Sequence, residues 1–374
     1  MSDVVGIVLA GVHHWDESPL DQLRPRPLLP VAGRPLICAA LEWLRSANVR
    51  QVVICANSAS RAVRRVFGDG SALGLELSYY EDWTPRGPAG CVRDAAWGSV
   101  AARFLVVEGT SWPTGDARRL LEEHVGSRAA LTVVASRNEQ CNLGDDQLLV
   151  PTGTYVVERE VLMHVPPTGY QDLKEVLLPR LHERDLLTRV HRAAPAGPRP
   201  VHADGYWALN AWVLDRYLRE ATPALGYRRS GQVELHDTAQ VAPTARLLGP
   251  VRIGPRTRIE AGAIVEGPGV LGADGVVSSN AVVRTSVLWN DWRVESGALV
   301  EHCVLADGAR AEPSCELRGL VLGGSRAGNH PLLVPGRHAW GRLRQLGQRW
   351  LKHSTGPRIR LVDKSQRPAS APLA

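Results

Sequence analysis

Ten consecutive positions at a spacing of six carry a large aliphatic residue or Trp: Leu235, Val241, Leu247, Ile253, Ile259, Val265, Leu271, Val277, Val283 and Trp289. Gly254 and Gly272 directly follow two of them, and the register slips by one at Val294 and resumes at Val300. Self-similarity at this period means a stacked repeat, a parallel β-helix in which each six-residue unit forms one face of a triangular coil. The aliphatic side chain points inward, and stacking neighbours bury one continuous core.

Upstream the pattern is different. Val4–Leu9, Gln51–Cys55, Leu75–Tyr80, Phe104–Val107 and Leu131–Ala135 read as strands. Pro35–Leu44, Ser58–Val66, Cys91–Ala101 and Ala117–His124 read as the helices between them. Alternation of this kind implies an α/β fold with a doubly wound, mostly parallel, Rossmann-like sheet. Ligands bind such sheets at the carboxyl ends of the strands, near the switch in strand order, so the loop after Leu9 is the first place to look. From Thr152 to Tyr217 the pattern is less regular, with a strand at Tyr155–Val157 and helices at Leu173–Leu181 and Trp212–Arg219. The expected organisation is an α/β domain over 1–230, a β-helix over 231–323 and a basic tail over 324–374.

That tail carries ten Arg or Lys from Arg326 onward against one acid, Asp363, which accounts for the net charge of +6 and leaves the main body near neutral. Within it, His338–Leu351 reads as a basic amphipathic helix. Its apolar face fits packing on the β-helix or another subunit, with an anionic membrane surface as the alternative. Arg358–Ala374 reads as a disordered end. Trp340 and Trp350 suit helix packing as well as base stacking, and no nucleic-acid module accompanies them, so no specific nucleic acid is expected. No run approaches the ~20 apolar residues of a membrane span. Residues 1–11 lack a basic start and read as a strand rather than a signal peptide. The six cysteines stand singly, without a CxxC pair, which excludes a zinc ribbon and favours a reducing cytoplasm. Lysines number only three, Lys174, Lys352 and Lys364, so any chemistry needing one has few candidates.

Specific words then narrow the field. Leu9-Ala10-Gly11, Pro19-Leu20 and the run from Arg24 through Pro27-Leu28, Pro30-Val31-Ala32-Gly33-Arg34-Pro35-Leu36 resemble the N-terminus of sugar-1-phosphate nucleotidyltransferases, LAGGxGTRLxPLT followed by RPKPLxPVxGKPL. Asp69-Gly70-Ser71 with Gly74 is similar to the family's DGSxxG, Gly87-Pro88-Ala89-Gly90 to its GTAG, and Gly205-Tyr206-Trp207 to its GYWxDIG. Asp172-Leu173-Lys174-Glu175 is similar to a segment of bacterial members in polysaccharide pathways. The resemblance spans roughly residues 3–322 and implies a left-handed β-helix, nucleotide contacts at Leu9, Ala10, Gly11, Gly87, Ala89 and Gly90, and a homo-oligomer. It also implies a reaction: a sugar 1-phosphate attacks the α-phosphate of a nucleoside triphosphate and pyrophosphate leaves. Positioning and electrostatics carry such a step. In the family a glycine-rich turn, an Arg, lysines and two Asp carboxylates on Mg²⁺ supply them.

Most of those charge-handling groups are missing. The phosphate loop GGxGTRL corresponds to Gly11-Val12-His13-His14-Trp15-Asp16-Glu17, where Asp16 replaces the Arg. Two carboxylates facing a triphosphate repel it unless a cation intervenes. His13, His14 and Asp16 form a conceivable ligand set, but nothing nearby completes it. Arg26 stands for the first family lysine, to bind a phosphate or simply to be solvated. Thr110 and Leu209 stand where the metal aspartates belong. Glu108 lies close by, with its side chain expected to point the wrong way on an extended strand. The second family lysine, from an EKP segment, has no counterpart in 137–151, and NAGxY survives only as Pro151-Thr152-Gly153-Thr154-Tyr155.

Framework motifs are kept while charge-handling residues are lost. The expectation is a folded family member, catalytically impaired and without a required cofactor. It binds a nucleotide, a nucleotide sugar or an active paralogue, and regulates polysaccharide precursor synthesis. The rival is a working, divergent enzyme in which Asp16, Glu17 or Glu108 recruits Mg²⁺. A third reading makes the β-helix an acyltransferase, with His302 as its only candidate base.

Overall fold

The computed structural model describes residues 3–11, 18–81, 84–137, 149–324 and 330–332. The phosphate-loop residues 12–17, including Asp16, and the tail segments His338–Leu351 and Arg358–Ala374 lie outside the described residues.

The first strand, β1 (Val4–Leu9), is followed by a short helix α1 (Pro19–Leu23), a small hairpin β2 (Pro30–Val31) and β3 (Arg34–Pro35), and helix α2 (Ile37–Ser46). Then come β4 (Gln51–Cys55), α3 (Ser60–Phe67), β5 (Glu76–Tyr80), α4 (Gly87–Ala95), β6 (Arg103–Glu108) and α5 (Ala117–Ser127). Strands β7 (Leu131–Arg137), β8 (Leu149–Glu158) and β9 (Thr188–Arg192) complete a seven-stranded sheet ordered β5-β4-β1-β6-β8-β7-β9. Only β8 runs against the rest. Alternation along the strands sorts the apolar residues into two layers. Ile7, Phe104, Val106 and Tyr155 face α4, while Val8, Leu105, Val107 and Val156 face α2, α3 and α5. Strand order reverses between β1 and β6, and sheets of this kind hold ligands at the carboxyl ends of the strands beside such a reversal.

After α6 (Leu178–His182) and β9, a single long helix, α7 (Ala203–Arg219), leads into the hairpin β10 (Tyr227–Ser230) and β11 (Val233–His236). From there the chain winds as a left-handed parallel β-helix of hexapeptide repeats. Its three faces hold sheets of eight, five and five strands. Ile253, Ile259, Val265, Leu271, Val277 and Val283 all point into the lumen. Full burial of each such side chain favours folding by about 1.5–3 kcal/mol.

The slip in the repeat falls one step earlier than the sequence pattern places it. Val265 pairs with Val283, but Leu271 pairs with Leu288, not with Trp289. One residue is lost at the corner Arg284-Thr285-Ser286, where Thr285 takes a left-handed φ of 45°. Leu288 therefore fills the lumen, and Trp289 turns outward.

Outward, Trp289 meets α7. Its indole N–H donates to the Tyr206 hydroxyl at 3.0 Å, and that hydroxyl donates to the Pro30 carbonyl. Trp207 donates to the Cys303 carbonyl at 3.3 Å. The Asn210 side-chain oxygen accepts the Ala32 backbone N–H at 2.9 Å. Leu20, Leu29, Val31, Leu209, Val213, Val270, Val287 and Val304 close one apolar cluster around these groups. Helix α7 is thus wedged between the β2–β3 hairpin and one face of the β-helix. Below the wedge, Glu234 is fully buried between Arg229 and Arg252, each at 2.6 Å, and the Arg252 guanidinium lies over the Tyr227 ring.

Candidate functional site

The crevice floor is made of two strand ends. Leu9 of β1 pairs with Glu108 of β6, and the Gly109 N–H donates to the Leu9 carbonyl at 2.8 Å. On the other side the Ala10 N–H donates to the Cys55 carbonyl at 2.7 Å, so Ala10 is buried and its backbone already committed. Gly11 is exposed, and a Cβ there would come 2.8 Å from the Asn57 amide. Asn57, at a φ of 45° after β4, is a crevice residue that sequence motifs did not single out. Gly109 is required by packing, since a Cβ would lie 2.6 Å from Val8.

Glu108 does not point away. The alternation that sets Ile7, Val106 and Tyr155 on the α4 layer sets Glu108 there too. Its carboxylate forms an ion pair with the Arg199 guanidinium at 2.9 Å. Gly153 makes room for it, because a Cβ there would sit 2.3 Å from the Glu108 carboxyl carbon. Arg199 is seated in the same way: a Cβ on Gly205 would lie 2.1 Å from the Arg199 carbonyl oxygen. Tyr155 is buried beside the pair. Its phenol is pushed above its ordinary range by burial first and then by the carboxylates of Glu108 and Asp172, with Arg199 pulling the other way. It remains a neutral O–H. Asp172 caps the turn Leu173–Leu177, accepting the Lys174 and Glu175 N–H groups at 2.6 and 2.9 Å.

Helix α4 begins at Gly87, not at Cys91, so the Gly-Pro-Ala-Gly segment is its first turn. That turn is capped from within. The Ala89 N–H donates to the Gln171 carbonyl at 3.0 Å, and the Gln171 N–H donates to the Arg86 carbonyl at 2.8 Å. Gly87, at φ 69°, permits the contact, since a Cβ would lie 2.5 Å from Gln171. Arg86 is buried, donating to Asp94 at 2.9 Å and to the carbonyls of Pro166 and Gly169. Gly90 gives Arg86 its space.

Residues 6–142 match the Nucleotidyl transferase family, and residues 268–325 match GlmU-like, C-terminal hexapeptide. The chain thus carries a nucleotidyl transferase domain followed by a GlmU-like hexapeptide repeat. Mannose-1-phosphate guanylyltransferase of Mycobacterium tuberculosis is 26% identical over 296 residues, covering 71% of this chain and 80% of that protein. UTP--glucose-1-phosphate uridylyltransferase of Synechocystis sp. is 23% identical over 339 residues, covering 80% and 86%. The bifunctional protein GlmU of Exiguobacterium sibiricum is 24% identical over 334 residues, covering 81% and 72%. The homologues of this chain are sugar-1-phosphate nucleotidyltransferases.

Against the family pattern, Thr110 follows Gly109 at the strand end and is half-buried. Leu209 is fully buried in the middle of α7, in contact with the cluster that seats the β-helix. The sequence pattern placed the start of this helix at Trp212. It starts nine residues earlier, at Ala203, and runs unbroken through Leu209 and Ala211. Arg26 is not solvated: it is buried and makes two contacts with Asp21, at 3.2 and 2.6 Å. With no carboxylate at Thr110 or Leu209, and with Glu108 taken by Arg199, the donors among the described residues do not fit a Mg²⁺. No group of three or more His, Cys, Asp or Glu side chains is gathered for a metal among those residues.

His302 is the base that an acyltransferase reading needs. Its ring instead stacks on Trp207, with centroids 4.0 Å apart, and burial depresses it to about 4. It is neutral packing between α7 and the β-helix. No described helix is long and apolar enough to cross a membrane.

Proposed function

We propose that this chain is a nucleotidyltransferase-family protein that has lost transfer chemistry, binds a nucleotide or nucleotide sugar without Mg²⁺, and regulates polysaccharide precursor synthesis in the cytoplasm. Leu209 carries the reading: the position that should hold a metal carboxylate is a fully buried leucine inside a continuous helix. Such a place offers neither charge nor access. The exposed Gly11, at the kept end of β1, supports a retained ligand. The segment Asp172–Glu175, similar to one in polysaccharide-pathway members, supports the pathway. A homo-oligomer and pairing with an active paralogue belong to the same proposal, and light scattering with and without the paralogue tests them.

The test is a thermal-shift panel of nucleoside triphosphates, nucleotide sugars and sugar phosphates, with and without Mg²⁺, alongside a pyrophosphate-release assay. Ligands that bind the native state raise the melting temperature by mass action. A shift with a nucleotide sugar that ignores Mg²⁺, without turnover, is expected. Mg²⁺-dependent turnover at rates usual for enzymes, about 1–10³ s⁻¹, overturns the proposal. The working, divergent enzyme remains the second reading. It is favoured by Glu108, whose carboxylate sits on the crevice side of β6, and it requires a metal to displace Arg199.

A further inference from the structure

Arg199 and Glu108 hold each other at the divide between β1 and β6, where the crevice opens. Each partner is seated by a glycine left from an otherwise eroded motif, Gly153 under the carboxylate and Gly205 against the Arg199 backbone. Two further arginines, Arg26 and Arg86, are committed to the fold. Arg26 and Arg86 are both 6% exposed and engaged with Asp21 and with Asp94 plus two carbonyls. The Arg199 side chain is 48% exposed, and the Glu108 side chain 22%. Ion pairs that solvent reaches have little net strength and exchange partners easily. A planar guanidinium binds phosphate in the same bidentate manner as carboxylate, and a diphosphate carries the greater charge.

We infer that the Arg199–Glu108 pair is an exchangeable latch: Arg199 leaves Glu108 to bind the diphosphate of a nucleotide sugar, doing in this chain what a divalent cation does in relatives. The inference rests on the proposed function above and assigns the residue that makes metal-free recognition work. Glu108 holds Arg199 in the empty crevice and competes with the ligand for it. Tyr155, a buried neutral phenol beside the pair, leaves the positive charge of Arg199 undiminished. The exchange breaks one ion pair and forms another, with no covalent step.

The experiment is calorimetric titration of the full chain with GDP-mannose, UDP-glucose and inorganic pyrophosphate in EDTA and then in Mg²⁺. Wild-type protein, Arg199→Gln, Arg199→Lys and Glu108→Gln are compared. The nucleotide sugar that binds wild type should lose at least ~10-fold in affinity in R199Q and less in R199K, which keeps the charge without the fork. E108Q should bind it several-fold more tightly, because the competitor is gone. Equal affinity of R199Q and wild type overturns the inference and leaves the proposed function standing, as does weaker or unchanged binding in E108Q. Binding by wild type only in Mg²⁺ overturns both. So does wild type that binds neither nucleotide sugar in either condition. Should R199Q fail to fold, judged by circular dichroism, E108Q alone decides.

Discussion

Acid should loosen the seat of α7 on the β-helix through one side chain. His302 lies against Trp207, and burial takes it from the ordinary 6.5 to about 4. The folded state thus resists a proton that the unfolded chain accepts. Its contribution is complete above the unfolded value near 6.5 and is lost progressively as the pH falls toward 4, where the folded form also protonates. At about 1.36 kcal/mol per pH unit, the full displacement is worth about 3 kcal/mol. An imidazolium over the Trp207 face recovers roughly 1 kcal/mol of that, leaving about 2 kcal/mol. The control is His302→Asn, since residue 302 sits at a φ of 55° and Asn tolerates that left-handed conformation. Urea unfolding of both proteins at pH 7.5, 6.0 and 5.0 cancels the carboxylates they share. The stability difference between wild type and H302N should move by about 1–2 kcal/mol against wild type over that range. A difference that stays constant with pH refutes the burial argument.

Three further outcomes follow from the packing. Glu234→Gln leaves the buried Arg252 and the half-buried Arg229 facing an uncharged amide and should cost about 3–5 kcal/mol, read as an earlier urea midpoint. Gly272→Ala places a methyl group 1.6 Å from the Trp289 carbonyl oxygen, so the coil cannot close, and soluble expression should collapse while Gly126→Ala, in α5 at an ordinary helical φ with open space around it, is tolerated. Restoring both family aspartates as Thr110→Asp with Leu209→Asp should yield no Mg²⁺-dependent pyrophosphate release. The second change buries an unpaired charge among Leu29, Val31 and Val304 and should itself lower stability by several kcal/mol, visible in a melt of the single variants.

The repeat announced itself in sequence because every coil buries the same inward position, so one period encodes the architecture. Trp289 shows where that legibility ends. Six-residue counting put it in the lumen, but a corner shortened at Thr285 hands the lumen to Leu288 and frees Trp289 for α7. Counting cannot see a one-residue deletion when both neighbours are large and apolar. The loss of carboxylates at Thr110 and Leu209 was legible because motifs fix their positions. The Glu108–Arg199 and Arg26–Asp21 pairs were not, since an ion pair depends on where distant backbone segments meet. One local signal did exist. Gly153 and Gly205 persisted in eroded motifs, and each turned out to give space to a member of one pair.

Helix α7 ties the crevice to the repeat mechanically. Its first turn braces the Arg199 backbone through Gly205, while Tyr206, Trp207 and Leu209 are keyed into the outer wall of the coil. A helix that is stiff along its length and anchored along its side acts as a strut. The crevice wall it supports cannot swing independently, because the force of any closure is grounded in the β-helix. On the proposed function the ligand meets a wall braced by the β-helix, and its selectivity is expected to rest on fit to a preset shape.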